Sequence, residues 1–261
     1  LILITNDDGI DSPGLHAMAE AVHDLGDLLI AAPVEQQTSM GRGKPKLPGN
    51  GVLRTVTLHL NGQAQTAYAI QGSPALCVAH AIYELAPRKP DLCLSGINYG
   101  ENIGTSLSAS GTVGAAIEAA DTGVPALAFS LETPLAMNHA AEYAVLDWQT
   151  AQHFTRRFTE IALRTPLPAG VSVLNINVPL GASETTPIRW TRVSGQRYYT
   201  YIQQPQRDPQ QPWRLHEDKL FDVETLEPDS DIRALLVDRL VAVTPITRDM
   251  TATADMKAYF S

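Results

Sequence analysis

Two adjacent carboxylates, Asp7 and Asp8, end the apolar run Leu1-Ile2-Leu3-Ile4-Thr5 and are framed by Asn6 and Gly9. A second polar group, Ser95-Gly96-Ile97-Asn98, ends another apolar run that begins at Asp91. Two carboxylates, an amide oxygen and a hydroxyl form a donor set suited to a hard divalent cation such as Mg²⁺ or Mn²⁺. A cation held in that way polarises a phosphoryl oxygen or lowers the pKa of a bound water. Ser110-Gly111-Thr112, just ahead of a predicted helix, supplies the complementary half, because free N–H groups at a helix N-terminus suit a phosphate. Each motif also has a plainer reading: Asn-Asp-Asp-Gly as a turn, Asn98 as a turn residue, Ser-Gly-Thr as a helix N-cap. It is their conjunction that points to phosphate chemistry.

The elements around these residues read as an α/β protein. Short unbroken apolar runs at the start of the chain, over Asp27 to Ala32 and over Asp91 to Ser95, are expected to be strands buried on both faces. Ser12-Pro13-Gly14 opens a helix whose apolar positions Leu15, Met18, Ala19, Val22 and Leu25 recur at helical spacing, with Gly26 closing it. Strand, helix, strand gives a right-handed parallel crossover, and ligands of such sheets bind at the strands' carboxyl ends. Residues 34–51 read as a loop over that edge. Residues 52–60 and 64–70 alternate as a hairpin about Asn61-Gly62. Pro74 to Ala86 and Thr112 to Asp121 read as helices, Val124 to Ser130 and Val171 to Val178 as strands, and Asn138 to Arg164 as a long amphipathic helix. Residues 183–235 are polar and carry Trp190, Tyr198, Tyr199, Tyr201 and Trp213; they are expected to be extended arms or hairpins within a single domain spanning 1–261. Leu240 to Ile246 returns to strand character.

Composition excludes several functions. With 44% hydrophobic and 18% charged residues over 261, the chain has ample material for a core. A formal net charge of −9 argues against a nucleic-acid polymer as partner. Cys77 and Cys93 lie in apolar runs and read as small core residues. No run approaches a membrane span, no signal peptide is visible, and the cytoplasm is the expected compartment. The chain lacks a phosphate-binding G-x-x-x-x-G-K-[ST] loop, a dinucleotide G-x-G-x-x-G turn and a G-x-S-x-G elbow, and its histidines form neither H-x-H nor H-E-x-x-H. Arg42, Lys44 and Lys46 form a small basic cluster, read as solvated or as a lure for an anionic substrate.

Ile4-Thr5-Asn6-Asp7-Asp8-Gly9 with Ser12-Pro13-Gly14 resembles the opening of the SurE family, stationary-phase survival proteins that are 5′/3′-nucleotidases. Gly72-Ser73-Pro74-Ala75, the Ser95–Gly104 stretch, Ser110-Gly111-Thr112-Val113 and Val243-Thr244-Pro245-Ile246 resemble its other signatures, in order. The resemblance implies a Rossmann-like, mostly parallel sheet between helices, hydrolysis of nucleoside 5′- and 3′-monophosphates, one divalent ion (Mg²⁺ or Mn²⁺) per subunit, and homodimers or tetramers that exchange C-terminal arms. It implies metal ligation by Asp7, Asp8, Asn98 and a hydroxyl residue, Thr38 with Ser39 as the alternative. Asp7 and Asp8 are then the catalytic candidates, Asp8 orienting a water. Asn6, Ser39, Gly96, Ser110, Gly111 and Thr112 are the phosphate-binding candidates. Ser106, Ala109, Leu76 and Ala119 depart from the family's usual aspartate, tyrosine, aspartate and glycine. Two alternatives stand beside this reading: a phosphatase that forms a phospho-aspartate, and a non-catalytic metal- and nucleotide-binding stress regulator.

Overall fold

The computed structural model describes residues 1–135, 143, 145–202, 208, 210, 215–252 and 254. Its strands are β1 (Ile2–Thr5), β2 (Leu28–Pro33), β3 (Leu53–Leu60), β4 (Gln63–Ile70), β5 (Leu92–Tyr99), β6 (Ala126–Leu131), β7 (Val173–Val178), β8 (Ile188–Trp190), β9 (Tyr199–Tyr201), β10 (Glu217–Lys219) and β11 (Val241–Ile246). The helices are α1 (Pro13–Val22), α2 (Pro74–His80), α3 (Gly111–Asp121) and α4 (Gln149–Arg164). Among the described residues nine strands form one sheet in the order β3-β4-β2-β1-β5-β6-β7-β11-β8, and β9 pairs with β10 separately. The central strands β4-β2-β1-β5-β6-β7 are parallel, and antiparallel β3 and β11 flank them. This is the Rossmann-like α/β architecture expected.

Period-two alternation in β1 explains the layers. Ile2 and Ile4 join Leu15, Met18, Phe154 and Phe158 in the core under α1 and α4, while Leu3 points the other way. That opposite core holds Cys93 and the small residues Val113, Ala115, Ala116 and Ala119, which let α3 lie close to the sheet. Both cysteines are free and buried, as expected. Among the described residues no helix is long and apolar enough to cross a membrane.

Several boundaries differ from expectation. α1 ends at Val22 on a right-handed His23, so Gly26 lies beyond it and does not cap it. β5 does not stop at Ser95: it runs to Tyr99 across a register irregularity between Ser95 and Asn98, which puts Asn98 back beside Ser130 of β6. α2 gives way to a π-helical turn over Ala81–Leu85. The helix expected from Asn138 begins only at Gln149; residues 145–148 are irregular, and residues 136–142 and 144 lie outside the described residues, as does Trp213. The hairpin is as read, with Asn61 and Gly62 both at positive φ (48° and 79°), the signature of a type I′ turn.

The 183–235 segment is more packed than extended arms would be. Tyr198, Leu226, Ile232, Ala234 and Leu235 bury themselves with Ile103 and Ala242 in a third apolar cluster. Asp231 ties this cluster to the main body by accepting N–H bonds from Gly104 (3.0 Å) and Ser194 (2.9 Å).

Candidate active site

β1 delivers Asp7 and Asp8 to the carboxyl edge of the sheet, where both are almost wholly buried. Asn6 shapes the turn that presents them: its amide donates to the Gly9 carbonyl at 3.0 Å, and its oxygen accepts from the Gly9 N–H at 3.2 Å. The side chain expected to bind phosphate therefore spends itself on the loop.

Each carboxylate has donors but, among the described residues, no cationic partner. Thr112 Oγ1 donates to Asp7 Oδ1 at 2.5 Å. Gln36 Nε2 and the Tyr99 N–H each donate to Asp8 at 3.2 Å. Burial pushes both carboxyls above the ordinary carboxylate range, and Asp8 also feels the charge of Asp7. Two neighbouring acids held in this state suit a cation that neutralises them. Asn98 has a matching orientation: its Nδ2 donates to the carbonyls of Tyr99 (3.1 Å) and Gly100 (2.7 Å), so it is Oδ1 that could reach a cation. No group of three or more His, Cys, Asp or Glu able to hold a metal occurs among the described residues. A metal here would therefore draw on amide and hydroxyl oxygens as well as the two acids, the mixed oxygen set expected of Mg²⁺ or Mn²⁺.

The hydroxyl candidates arrive on the 34–51 loop. The Gln37 N–H donates to the Asp7 carbonyl at 2.7 Å, which pins the loop's start, and the Gly41 N–H donates to the Ala109 carbonyl at 2.9 Å. Gly114 of α3 lies so near the Gly41 carbonyl that a Cβ there would collide with it. Farther along, Arg42 and Lys44 do not stand free to attract anions. Arg42 Nε and Lys44 Nζ reach the buried Glu118 carboxylate at 2.7 and 2.6 Å, and Arg42 also pairs with Asp121. These contacts fasten the loop to α3 and leave Thr38 and Ser39 facing the cleft.

That cleft measures about 390 Å³, and Asp7, Thr38, Ser39, Asn98 and Ser110 all line it. The structure thus brings together one carboxylate and four of the oxygen-bearing candidates, with Asp8 directly behind. Ser110 caps α3, its Oγ accepting from the Val113 N–H at 3.1 Å. Gly111 packs on Asp7; a Cβ there would meet the Asp7 carboxylate oxygen at 2.7 Å. Gly96, Gly111 and Thr112 do not line the cleft, and Thr112 acts through Asp7. Ser106 and Ala109 do line it.

Sequence reasoning missed the far wall. Arg197, Tyr199, Tyr201 and Glu217, from the β9–β10 hairpin, line the same cleft. Their clustered aromatics were visible in the sequence, but nothing local says that a stretch roughly a hundred residues past Asn98 folds back over it. Tyr143, whose hydroxyl donates to the Asp8 carbonyl at 2.7 Å, was hidden inside the expected helix.

Comparison with known proteins agrees with this architecture. Residues 2–200 match the family described as Survival protein SurE. The chain is 39% identical over 256 residues to the 5′-nucleotidase SurE of Thermococcus gammatolerans, covering 98% of this chain and 93% of that protein. The 5′-nucleotidase SurE of Moorella thermoacetica is 36% identical over 254 residues, covering 96% and 91%. The crystal structure of the SurE protein from Aquifex aeolicus superposes with a TM-score of 0.77 at 28% identity, over 98% of this chain and 97% of that one.

Proposed function

This chain belongs to the SurE family, and we propose that it is a metal-dependent nucleotidase acting on nucleoside 5′- and 3′-monophosphates through the cleft at Asp7. The observation that carries the reading is the pair of buried carboxylates with no cationic partner among the described residues, set beside an asparagine oxygen and two loop hydroxyls. It is a phosphomonoesterase. Asp7, Asp8, Asn98 and Thr38 would hold one divalent ion per subunit, Mg²⁺ or Mn²⁺, which would supply Lewis-acid charge at the phosphoryl group and lower the pKa of a bound water.

The chain's own residues do the rest. Thr112 holds Asp7 in one orientation, as an outer partner must if a ligand is to be preorganised. Asp8 orients the attacking water and takes its proton. The Ser110 hydroxyl, which lines the cleft at the start of α3, faces the developing negative charge on the phosphoryl oxygens, where preorganised donors stabilise a transition state most. Ser39 is the alternative hydroxyl at the loop apex. The proposed assembly is a homodimer or a tetramer. Trp190, Leu215, Leu220 and Val223 are exposed along the 183–235 segment and favour a partner there. The cytoplasm is the proposed compartment.

Phosphate release from 5′- and 3′-monophosphates, with Mn²⁺ or Mg²⁺ and then with EDTA, tests the activity. Release that stops in EDTA and in Asp8→Asn is the expected result. Tight nucleotide binding without release would favour the regulator, and a trapped acyl-phosphate on Asp7 would favour the phospho-aspartate route.

A further inference from the structure

The cleft that Asp7 lines is also lined by Arg197, Tyr199, Thr200, Tyr201 and Glu217 of the β9–β10 hairpin. The hairpin is fastened there by buried polar contacts. Lys219 Nζ reaches the buried Glu101 carboxylate at 2.5 Å and the Thr133 carbonyl at 2.9 Å, and the Tyr198 hydroxyl donates to Glu101 at 2.5 Å. The Tyr199 N–H donates to Ser106 Oγ at 3.2 Å, tying β9 directly to the cleft floor. Tyr199 and Tyr201, two apart on β9, share a strand face. Arg197 lays its guanidinium 5.8 Å from the Tyr201 ring centroid and donates from Nε to the Tyr199 carbonyl at 3.0 Å. Among the residues lining the cleft Arg197 is the one cation, and its contacts are with the hairpin's own Tyr199 and Tyr201.

We propose that the Arg197–Tyr201 pair, with Tyr199 inside it, is the nucleobase subsite, which stacks the base of the substrate while its phosphate sits at Asp7. This rests on the nucleotidase reading. With the phosphate at Asp7, Asn98 and Ser110, the sugar and base extend along the cleft toward the hairpin. What they meet there is two aromatic rings and a planar guanidinium, groups that stack on any base because every base has a π face. Tyr201 is 52% exposed, so one of its faces is open to such a partner. The wall reads the presence of a base rather than its identity. It therefore selects nucleotides over base-free sugar phosphates, with broad tolerance among bases.

The test compares kcat/KM for AMP, UMP and ribose 5-phosphate in the metal-supplied full-length protein and its Arg197→Ala, Tyr201→Ala and Tyr201→Phe variants. Stacking side chains cut to alanine are expected to lose roughly 5- to 100-fold on both nucleotides, mainly through KM. Ribose 5-phosphate turnover is unchanged, and Tyr201→Phe, which keeps the ring, behaves as wild type. Alanine variants that keep the wild-type preference for AMP over ribose 5-phosphate would overturn the subsite. So would equal losses on all three substrates, which mean a structural role. Wild type that releases phosphate from ribose 5-phosphate but from neither nucleotide would overturn the nucleotidase reading itself.

Discussion

Buried acids occur in two kinds of surroundings in this molecule. Glu101, behind the hairpin, is met by Lys219 and by the hydroxyls of Tyr198 and Tyr199. Glu118, under the 34–51 loop, is met by Arg42 and Lys44. Asp7 and Asp8 receive a hydroxyl, an amide and an N–H, but among the described residues no Lys, Arg or His. A buried acid paired with a cation fastens one piece of chain to another. Two buried acids facing each other without one work against the fold that holds them. The fold puts this unfavourable pair at its sheet edge and supports it with satisfied acids on either side, an arrangement typical of a site that waits for a ligand.

Neutralising the pair gives the largest effect expected from this contrast. Asp8→Asn lowers phosphate release by at least about 100-fold, since losing even an outer partner of a metal ligand costs about 10- to 100-fold. The same change raises the melting temperature of the metal-free protein at neutral pH, because a neutral amide has no charge to bury. If the melting temperature fell instead, the pair would be a fastener like the others.

Changing a satisfied acid does the reverse. Glu101→Gln keeps the shape but weakens the bonds to Lys219 and the tyrosines, and lowers stability by about 1.5–3 kcal/mol in a denaturant titration. Its effect on catalysis follows the hairpin rather than the phosphate end.

The pH dependence separates the two kinds of acid further. Burial pushes Asp7 to about 6 and Asp8 to about 8. Both folded values lie above the unfolded one, so the folded state binds more protons. The pair's contribution to the stability of the metal-free protein is then largest below the ordinary carboxylate range and is lost as pH rises toward 8. Thermal melts from pH 5 to pH 8 should show this decline, with a smaller slope in Asp8→Asn; an unchanged slope would count against the assignment. Thr112→Val, the smallest effect, weakens metal binding by about 10-fold by freeing Asp7, while Thr112→Ser restores it; calorimetric titration with Mn²⁺ measures both.

Most of this fold was legible because its strands and helices carry local patterns. The alternating faces of β1, the prolines that open α1 and α2, and the Asn61-Gly62 turn each needed only a few neighbouring residues. The acids and Asn98 were legible as motifs at strand ends. What stayed hidden depends on distant partners. β5 looked finished at Ser95 because Gly96 and Asn98 are turn residues, yet pairing with β6 resumes beyond the irregularity. Arg42 and Lys44 looked solvated because Glu118 lies more than seventy residues away in sequence. The hairpin wall depended on Glu101 and Lys219 finding each other across the chain.

The Gly41–Gly114 contact has an engineering consequence. It joins the loop and α3 backbone to backbone, so the loop's position at that point depends on no side chain. The segment from Pro45 to Gly51 can therefore be exchanged as an interchangeable cassette, provided Lys44 and the two glycines are kept. Substitutions there would leave the hydroxyls at Thr38 and Ser39 in place.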